Sequence, residues 1–147
     1  MSKAARLEPL ADFAGLVENE AAKRLAASAK AMQSKEAELD QLRGYLAEYR
    51  RRAAQGAMDS VRWRNTQLFL TRLSEAVAHQ EAELQKAVER HRFETGRWRD
   101  SHQRAETLDR VVERAQREAA VAMSRREQAE LDEQAMRRHP LAPDRRQ

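Results

Sequence analysis

One pair of side chains in the sequence could share a metal ion: His79 and Glu83, four residues apart. On a helix this spacing places both side chains on the same face. Two ligands on an exposed helix do not complete a site, because a structural metal such as zinc takes four protein ligands. The sequence also lacks a glycine-rich phosphate loop and a paired nucleophile and base. We therefore expect no enzyme, no metal site and no cofactor.

Two tryptophans have arginine neighbours, in the segments VRWRN around Trp63 and GRWRD around Trp98. Aromatic rings among cations are typical of proteins that stack on single-stranded nucleic acid. Helical spacing favours another interpretation, since it places both tryptophans on the apolar seam of a helix, and we predict core packing and no nucleic-acid partner. A basic coiled coil that binds nucleic acid or a membrane surface remains the alternative, as does a self-assembling structural coiled coil.

The composition predicts long helices. The chain has 147 residues, of which 35% are charged and 5% are aromatic, and its net charge is +4. Good helix formers dominate throughout, and acidic residues alternate with basic ones except at Arg50–Arg52 and near the end, as on solvated helix faces. Cysteine is absent, which excludes disulfides. No run of 18 apolar residues and no signal peptide is recognisable, so we expect a cytoplasmic protein.

The first helix is predicted over residues 5 to 54. Pro9 is tolerated only in a first turn, which allows a start near Glu8. A heptad seam runs through it with one slip of register near residues 21 to 25 and with Lys35 as a polar interruption. The seam residues are Leu7, Leu10, Ala14, Val17, Ala21, Leu25, Ser28, Met32, Leu39, Leu42, Leu46, Tyr49 and Ala53.

The second helix is predicted over residues 60 to 138. Gly56 indicates a helix stop, Asp59 and Ser60 are candidate N-caps, and a turn over 55 to 59 reverses the chain. Pro140 follows the helix, and residues 139 to 147 are predicted to be a disordered tail. Its heptad seam runs without a slip through Trp63, Thr66, Leu70, Leu73, Val77, Gln80, Leu84, Ala87, His91, Glu94, Trp98, Ser101, Ala105, Leu108, Val112, Ala115, Ala119 and Ala122. The predicted fold is all-α: an antiparallel coiled-coil hairpin in a single domain, 1 to 138, whose second helix is the longer.

A reversal at Ala57 would pair residues whose numbers add to about 114, so that Leu7 lies level with Thr107. About 30 residues of the second helix would then extend some 45 Å beyond the first. An apolar stripe on this overhang needs another protein, or a second copy of the chain, to cover it. The stripe consists of Leu108, Val111, Val112, Ala115, Ala119, Ala122 and Met123.

The two tyrosines differ in position. Tyr49 lies on the seam and is predicted to be core, whereas Tyr45 lies beside it, level with Phe69 of the second helix. Two aromatic side chains are thus expected to meet on the outside of the hairpin. They either cover the core or form part of a docking surface. The docking surface would comprise Leu42, Tyr45, Tyr49, Phe69, Leu73 and Ala76.

Several segments together resemble one protein family over nearly the whole chain. These are LRGYLAEYR, a short glycine-containing turn, VRWRNTQLFLTRLSEAVAHQEAEL, and a long basic helix ending near QAMRR. They are similar to the flagellar export protein FliJ family. The resemblance implies a non-catalytic accessory protein of the flagellar type III export apparatus, an antiparallel coiled coil that looks like the stalk of rotary ATPases.

The resemblance also implies partners. These are the hexameric flagellar export ATPase, whose assembly and turnover the joined helix ends would promote, the cytoplasmic domain of the export gate protein FlhA, and export chaperones. The protein would then lie at the cytoplasmic face of the inner membrane. Motif matching places the gate contact on the same six residues, Leu42, Tyr45, Tyr49, Phe69, Leu73 and Ala76.

Two positions beside these six depart from the family pattern: Glu38 stands where glutamine is expected, and Gln80 where histidine is expected. For the ATPase contact no motif is specific, so the hypothesis consists of stripe and end residues. They are Leu7, Leu10, Leu108, Val112, Ala115, Ala119, Ala122 and Met123.

Overall fold

A computed structural model describes residues 2–56 and 59–139 of the chain. Two α-helices make up the fold, α1 (Lys3–Gln55) and α2 (Ser60–Arg138), and no strand occurs in the described ranges. The all-α prediction with a longer second helix is confirmed. The predicted reversal at Ala57 and the predicted tail from residue 140 onward lie outside the described residues. Neither helix contains a stretch long and apolar enough to cross a membrane.

Both helices begin at a side-chain cap. The Ser2 hydroxyl oxygen accepts a hydrogen bond from the backbone N–H of Ala5 at 3.1 Å, so α1 starts earlier than predicted. Pro9 consequently lies in the second turn, and the prediction that it must occupy the first was wrong. Buried alanines before and after it, Ala4 and Ala11, tie this part of α1 down.

At the start of α2, the Asp59 carboxylate accepts a hydrogen bond from the backbone N–H of Arg62 at 2.7 Å, which makes Asp59 the N-cap. Gly56 directly follows α1, and its φ is not positive. The first helix therefore ends without a left-handed glycine.

The contacts within the chain form two compact units. The central unit is Val17–Ser101, and the terminal unit consists of the described parts of Met1–Leu16 and His102–Gln147. The single-domain assignment stays a prediction.

In the central unit the two helices run antiparallel. Arg43 bridges to Glu81 at 3.1 Å, and nearer the other end of the unit Ser28 Oγ lies 3.2 Å from His91 Nδ1. The Ser28 hydroxyl donates to the Leu25 carbonyl oxygen at 2.8 Å, so its oxygen is left to accept from the His91 N–H. The core between the helices comprises Leu39, Leu46 and Val77, with Leu42, Leu70, Leu73 and Leu84 packed against it.

The predicted seam of α2 is confirmed over most of its length. Every predicted seam residue from Thr66 to Ala115 is buried or half-buried. At the start of α2 the prediction was wrong, because Trp63 is 59% exposed. Ala119 and Ala122 are exposed too, in the overhang that was predicted to lack a partner within the chain. Heptad spacing selects the face of a helix, but burial also requires the partner helix to be alongside.

The predicted seam of α1 needs a correction in its first half. Leu10 is 54% exposed and Val17 38% exposed, while Ala11 is buried and Glu18 half-buried. The three-and-four alternation therefore continues back from Leu39 without any slip. Continuous spacing keeps one face of a helix against its partner. The buried positions of this half are therefore those that the spacing assigns, mostly alanines, and not those with the largest side chains.

The overhang in the terminal unit is shorter than predicted. Gln116 Nε2 donates to Glu8 Oε1 at 3.1 Å, and these numbers add to 124 where about 114 was expected. Lys3 is therefore about level with residue 121, and the unpaired part of α2 is about 17 residues or 26 Å long. Val112 and Ala115 are buried, whereas all residues from Gln116 to His139 are exposed.

Candidate partner-binding surfaces

Two chemically different flanks border the core of the central unit. The aromatic flank comprises the six residues predicted as a docking surface, Leu42, Tyr45, Tyr49, Phe69, Leu73 and Ala76. The polar flank comprises Arg43, Arg50, Ser74 and Glu81. Tyr45 and Tyr49 share one edge of α1 because they are four residues apart, and Arg43 and Arg50 share another because they are seven apart.

On the aromatic flank, Tyr49 packs on Phe69. The two ring centroids are 4.8 Å apart and the ring planes are tilted by 59°, a geometry that adds to plain burial of area. The Arg52 guanidinium lies 5.8 Å from the centre of the Tyr49 ring. Tyr49 is 39% and Phe69 44% exposed, so the prediction that Tyr49 belongs to the core was wrong.

Tyr45 does not pair with Phe69. It is 48% exposed, and its hydroxyl oxygen accepts a hydrogen bond from Gln41 Nε2 at 3.2 Å on its own helix. The predicted pairing is off by about one helical turn. A non-helical connection advances about 3.3 Å per residue and a helix about 1.5 Å, so counting residues around a turn misplaces the register.

Two of the remaining residues of the aromatic flank border the core. Leu42 and Leu73 are half-buried and pack against the cluster of Leu39, Leu46 and Val77, and Ala76 is half-buried too. Leu42 and Leu73 thus cover the core, while the three aromatic side chains leave ring area and the tyrosine hydroxyl groups exposed. The docking surface stays a prediction.

The polar flank is held by exposed polar contacts. The Arg43–Glu81 ion pair joins side chains that are 53% and 50% exposed, and Arg50 Nη donates to Ser74 Oγ at 3.4 Å. Exposed ion pairs contribute at most about 1 kcal/mol. This flank therefore suits use as a control surface for the aromatic one.

The eight residues proposed for an ATPase contact fall into two groups, four that are buried or half-buried and four that are exposed. Val112 and Ala115 are buried, and Leu7 and Leu108 are half-buried, so these four mainly hold the terminal unit together. The other four are exposed: Leu10, Ala119, Ala122 and Met123.

The sequence interpretation missed five large exposed apolar side chains in the terminal unit. Phe13 is 65%, Leu16 66%, Val121 50%, Leu131 60% and Met136 70% exposed. The missed signal was the constant heptad spacing of α1: following it through Ala11 leaves Leu10, Phe13 and Leu16 on the outside. The terminal unit therefore displays apolar groups on both of its helices.

Glu83, four residues after His79, pairs with Lys86. Lys86 Nζ donates a hydrogen bond to Glu83 Oε1 at 3.3 Å. This hydrogen bond, and then the positive charge of Lys86, lowers the pKa of the Glu83 carboxyl below its ordinary value. The described part of the chain holds no cluster of three potential metal ligands.

Two seam residues of α2 in the central unit, Gln80 and Glu94, have buried side-chain oxygens without a hydrogen-bond partner among the described residues. Glu94 is 1% exposed, and Arg90 Nη forms an ion pair with its Oε1 at 2.9 Å. The Arg90 contact has the distance but not the angles of a hydrogen bond, so neither Glu94 carboxylate oxygen receives one from a described residue, and the same holds for Gln80 Oε1. Buried polar atoms of this kind cost stability, so the seam is not optimised for helix pairing alone.

Comparison with known proteins relates the chain to one protein family. The family model described as "Flagellar FliJ protein" matches residues 2–142. The chain is also similar to the flagellar FliJ protein of Escherichia coli (strain K12), with 27% identity over 147 residues, 98% of this chain and 100% of that protein. Because the family model covers nearly the whole chain, the hairpin belongs to the FliJ family, whose members are accessory proteins of the flagellar export apparatus.

Proposed function

We propose that this chain is a non-catalytic coupling protein of flagellar export, located at the cytoplasmic face of the inner membrane. Its aromatic flank would bind the cytoplasmic domain of the export gate protein FlhA, and the ends of its helices would bind the hexameric export ATPase. Export chaperones are further partners. The observation that carries the gate contact is the exposed Tyr49–Phe69 pair, with Tyr45 also exposed on the same helix edge.

The aromatic flank has the composition expected of a binding surface. Tyrosine and other aromatic residues are enriched at binding hot spots because they bury large rigid areas at low entropic cost. Tyr49 and Phe69 are already packed on each other, so a partner would meet a partly ordered surface. The core beneath is formed by other residues, so single aromatic substitutions can be separated from unfolding.

The gate contact is tested by titrating the purified cytoplasmic domain of FlhA with Tyr45→Ala and Phe69→Ala variants. Each substitution is expected to weaken binding at least about 10-fold, as loss of a hot-spot residue does. The matched control is the double variant Arg43→Ala and Glu81→Ala on the polar flank, which should bind normally. Equal weakening by the control would show that the aromatic flank is not the contact.

The ATPase contact is proposed for the exposed apolar residues of the terminal unit. Leu10, Phe13 and Leu16 on α1 and Ala119, Ala122 and Met123 on α2 leave apolar area in water that a second protein surface could cover. Val112 and Ala115 are left out of the contact because α1 already buries them.

Hydrolysis of ATP by the purified export ATPase tests this contact. Full-length chain should stimulate hydrolysis and saturate near one chain per ATPase hexamer. A chain ending after Arg117 keeps the buried Val112 and Ala115 and should lose the stimulation. A control ending after Arg138 removes only residues beyond α2 and should stimulate normally. Undiminished stimulation by the chain ending after Arg117 would exclude the α2 part of the contact.

A further inference from the structure

The hairpin end of the central unit carries a concentration of positive charge. Six arginines lie between Arg50 and Arg72 in the sequence, and Asp59 is the one acidic residue among them. The Asp59 carboxylate is engaged with the backbone N–H of Arg62 as a helix cap. Arg52 forms an ion pair with Glu48 at 2.8 Å, and none of the other five arginines pairs with a carboxylate of a described residue, so this end keeps an excess of positive charge.

The same end exposes large apolar side chains. Val61 is 67%, Trp63 59% and Leu68 51% exposed. Val61 and Leu68 are seven residues apart and share a face of α2. All three side chains lie within the first three turns of α2.

The register of the two helices explains why Trp63 is uncovered. The contacts of Tyr49 with Phe69 and of Arg50 with Ser74 place Gln55, the last residue of α1, level with the stretch between residues 63 and 69. The first turn of α2 therefore begins past the end of its partner helix. Trp63 occupies a seam position of α2 at or beyond the level of the last residue of α1, so α1 does not cover it.

We propose that this hairpin end binds the surface of a lipid bilayer that contains anionic headgroups. Tryptophan favours the interface between headgroups and hydrocarbon, and arginines pair with anionic lipids at roughly 5-fold in affinity each. Trp63 and Val61 project from opposite sides of the first turn of α2, so both reach the bilayer only if the start of the helix approaches it end-on, and Val61 then adds aliphatic area that gains by leaving water. The contact uses Arg62, Trp63 and Arg64 and is separate from the aromatic flank.

Nucleic acid is the other polyanion that such a surface could meet, and the exposed side chains fit it less well. Binding of single strands relies on successive aromatic rings that stack on bases. Here one exposed indole is accompanied by Val61 and Leu68, and aliphatic side chains offer no stacking face. A bilayer takes up all three kinds of apolar side chain.

The test uses the full chain and vesicles of phosphatidylcholine, with and without phosphatidylglycerol. In a Trp98→Phe background the fluorescence reports on Trp63 alone, because the chain has two tryptophans. Vesicles with phosphatidylglycerol should shift the emission to shorter wavelength and carry the protein with them in flotation. Vesicles of phosphatidylcholine alone should do so at least about 5-fold less.

The double variant Arg62→Glu and Arg64→Glu should bind at least about 10-fold more weakly, and Trp63→Ala should also lose binding. All three side chains are exposed, and circular dichroism should show unchanged helix content. The matched control is Arg125→Glu and Arg126→Glu, an exposed arginine pair in the terminal unit with the same change of net charge. It should retain at least half of the affinity.

Three results would overturn the proposal. The first is no binding of the unaltered chain to phosphatidylglycerol vesicles, and the second is an equal loss in the control variant. The third is a single-stranded oligonucleotide that quenches Trp63 at a salt concentration where vesicles leave its emission unchanged, which would identify nucleic acid as the ligand.

Discussion

The ring of Tyr49 packs on the ring of Phe69 with 4.8 Å between their centres, although Tyr45 was the tyrosine expected there. This contact fixes the register of the two helices on the aromatic flank. Tyr45 instead accepts a hydrogen bond from Gln41 of its own helix through its hydroxyl oxygen, and its side chain is exposed. One tyrosine thus orders the flank, while the other is available to a partner.

A double-mutant cycle should detect this register. Tyr49→Ala and Phe69→Ala are expected to show a coupling free energy of about 0.5 to 1.5 kcal/mol in urea unfolding, since tilted aromatic pairs contribute this much beyond area burial. The parallel cycle with Tyr45→Ala and Phe69→Ala should show no coupling. The assigned register would be refuted by coupling in the second cycle and none in the first.

The corrected seam of α1 predicts a contrast between adjacent residues. Ala11→Gln should lower the free energy of unfolding by about 1 to 3 kcal/mol, because a larger polar side chain must enter a packed interface. Leu10→Gln should change it by less than about 0.5 kcal/mol, because Leu10 is mainly exposed. Thermal unfolding followed by circular dichroism measures both. The opposite order would restore the seam that passes through Leu10.

The buried carboxylate of Glu94 should reduce stability. Replacement by leucine of similar volume is expected to raise the free energy of unfolding by about 1 to 3 kcal/mol, because the cost of burying the charge disappears. Arg90→Gln should instead lower it by about 1 kcal/mol, a small value because the Arg90 side chain is 65% exposed. Glu89→Leu, at an exposed neighbouring position, serves as the control for added apolar area. A stability loss in Glu94→Leu would contradict this account.

Removing the ammonium group of Lys86 should raise the pKa of Glu83 towards its ordinary value of 4.5. In the unaltered chain the hydrogen bond from Lys86 lowers this pKa. The resulting contribution to stability is complete above the unfolded-state pKa and is lost as the pH falls through the lower folded-state pKa. Carboxyl carbon chemical shifts in Lys86→Met, titrated through acidic pH, provide the measurement. An unchanged Glu83 titration would show that Lys86 is not the cause.

Much of the fold follows from local rules. Good helix formers, the N-cap at Asp59 and uninterrupted heptad spacing predict α2 and its buried face from Thr66 to Ala115. In α1 uninterrupted heptad spacing also identifies the buried face. The predicted seam instead followed the larger side chains of Leu10 and Val17, which are exposed. Large apolar residues can lie on the outside of a helix whose buried stripe is made of alanine.

The candidate surfaces were predictable as stretches of sequence but not as sets of contacts. The six residues of the aromatic flank come from spacing alone, and four of them pack against the core or on each other: Leu42, Leu73, Tyr49 and Phe69. Burial of Val112 and Ala115 depends instead on how far α1 reaches along α2. The sequence of one helix alone does not determine how much of α2 is covered by α1.

The sequence by itself determined two long helices and the face that each turns to its partner, because hydrogen bonding and side-chain periodicity are local along the chain. Only the tertiary structure decided the register, with Phe69 against Tyr49, Gln116 against Glu8, and Trp63 exposed at the start of α2. Heptad seams are nearly equivalent after a shift of one repeat, so register depends on interhelical packing and on the geometry of the connection.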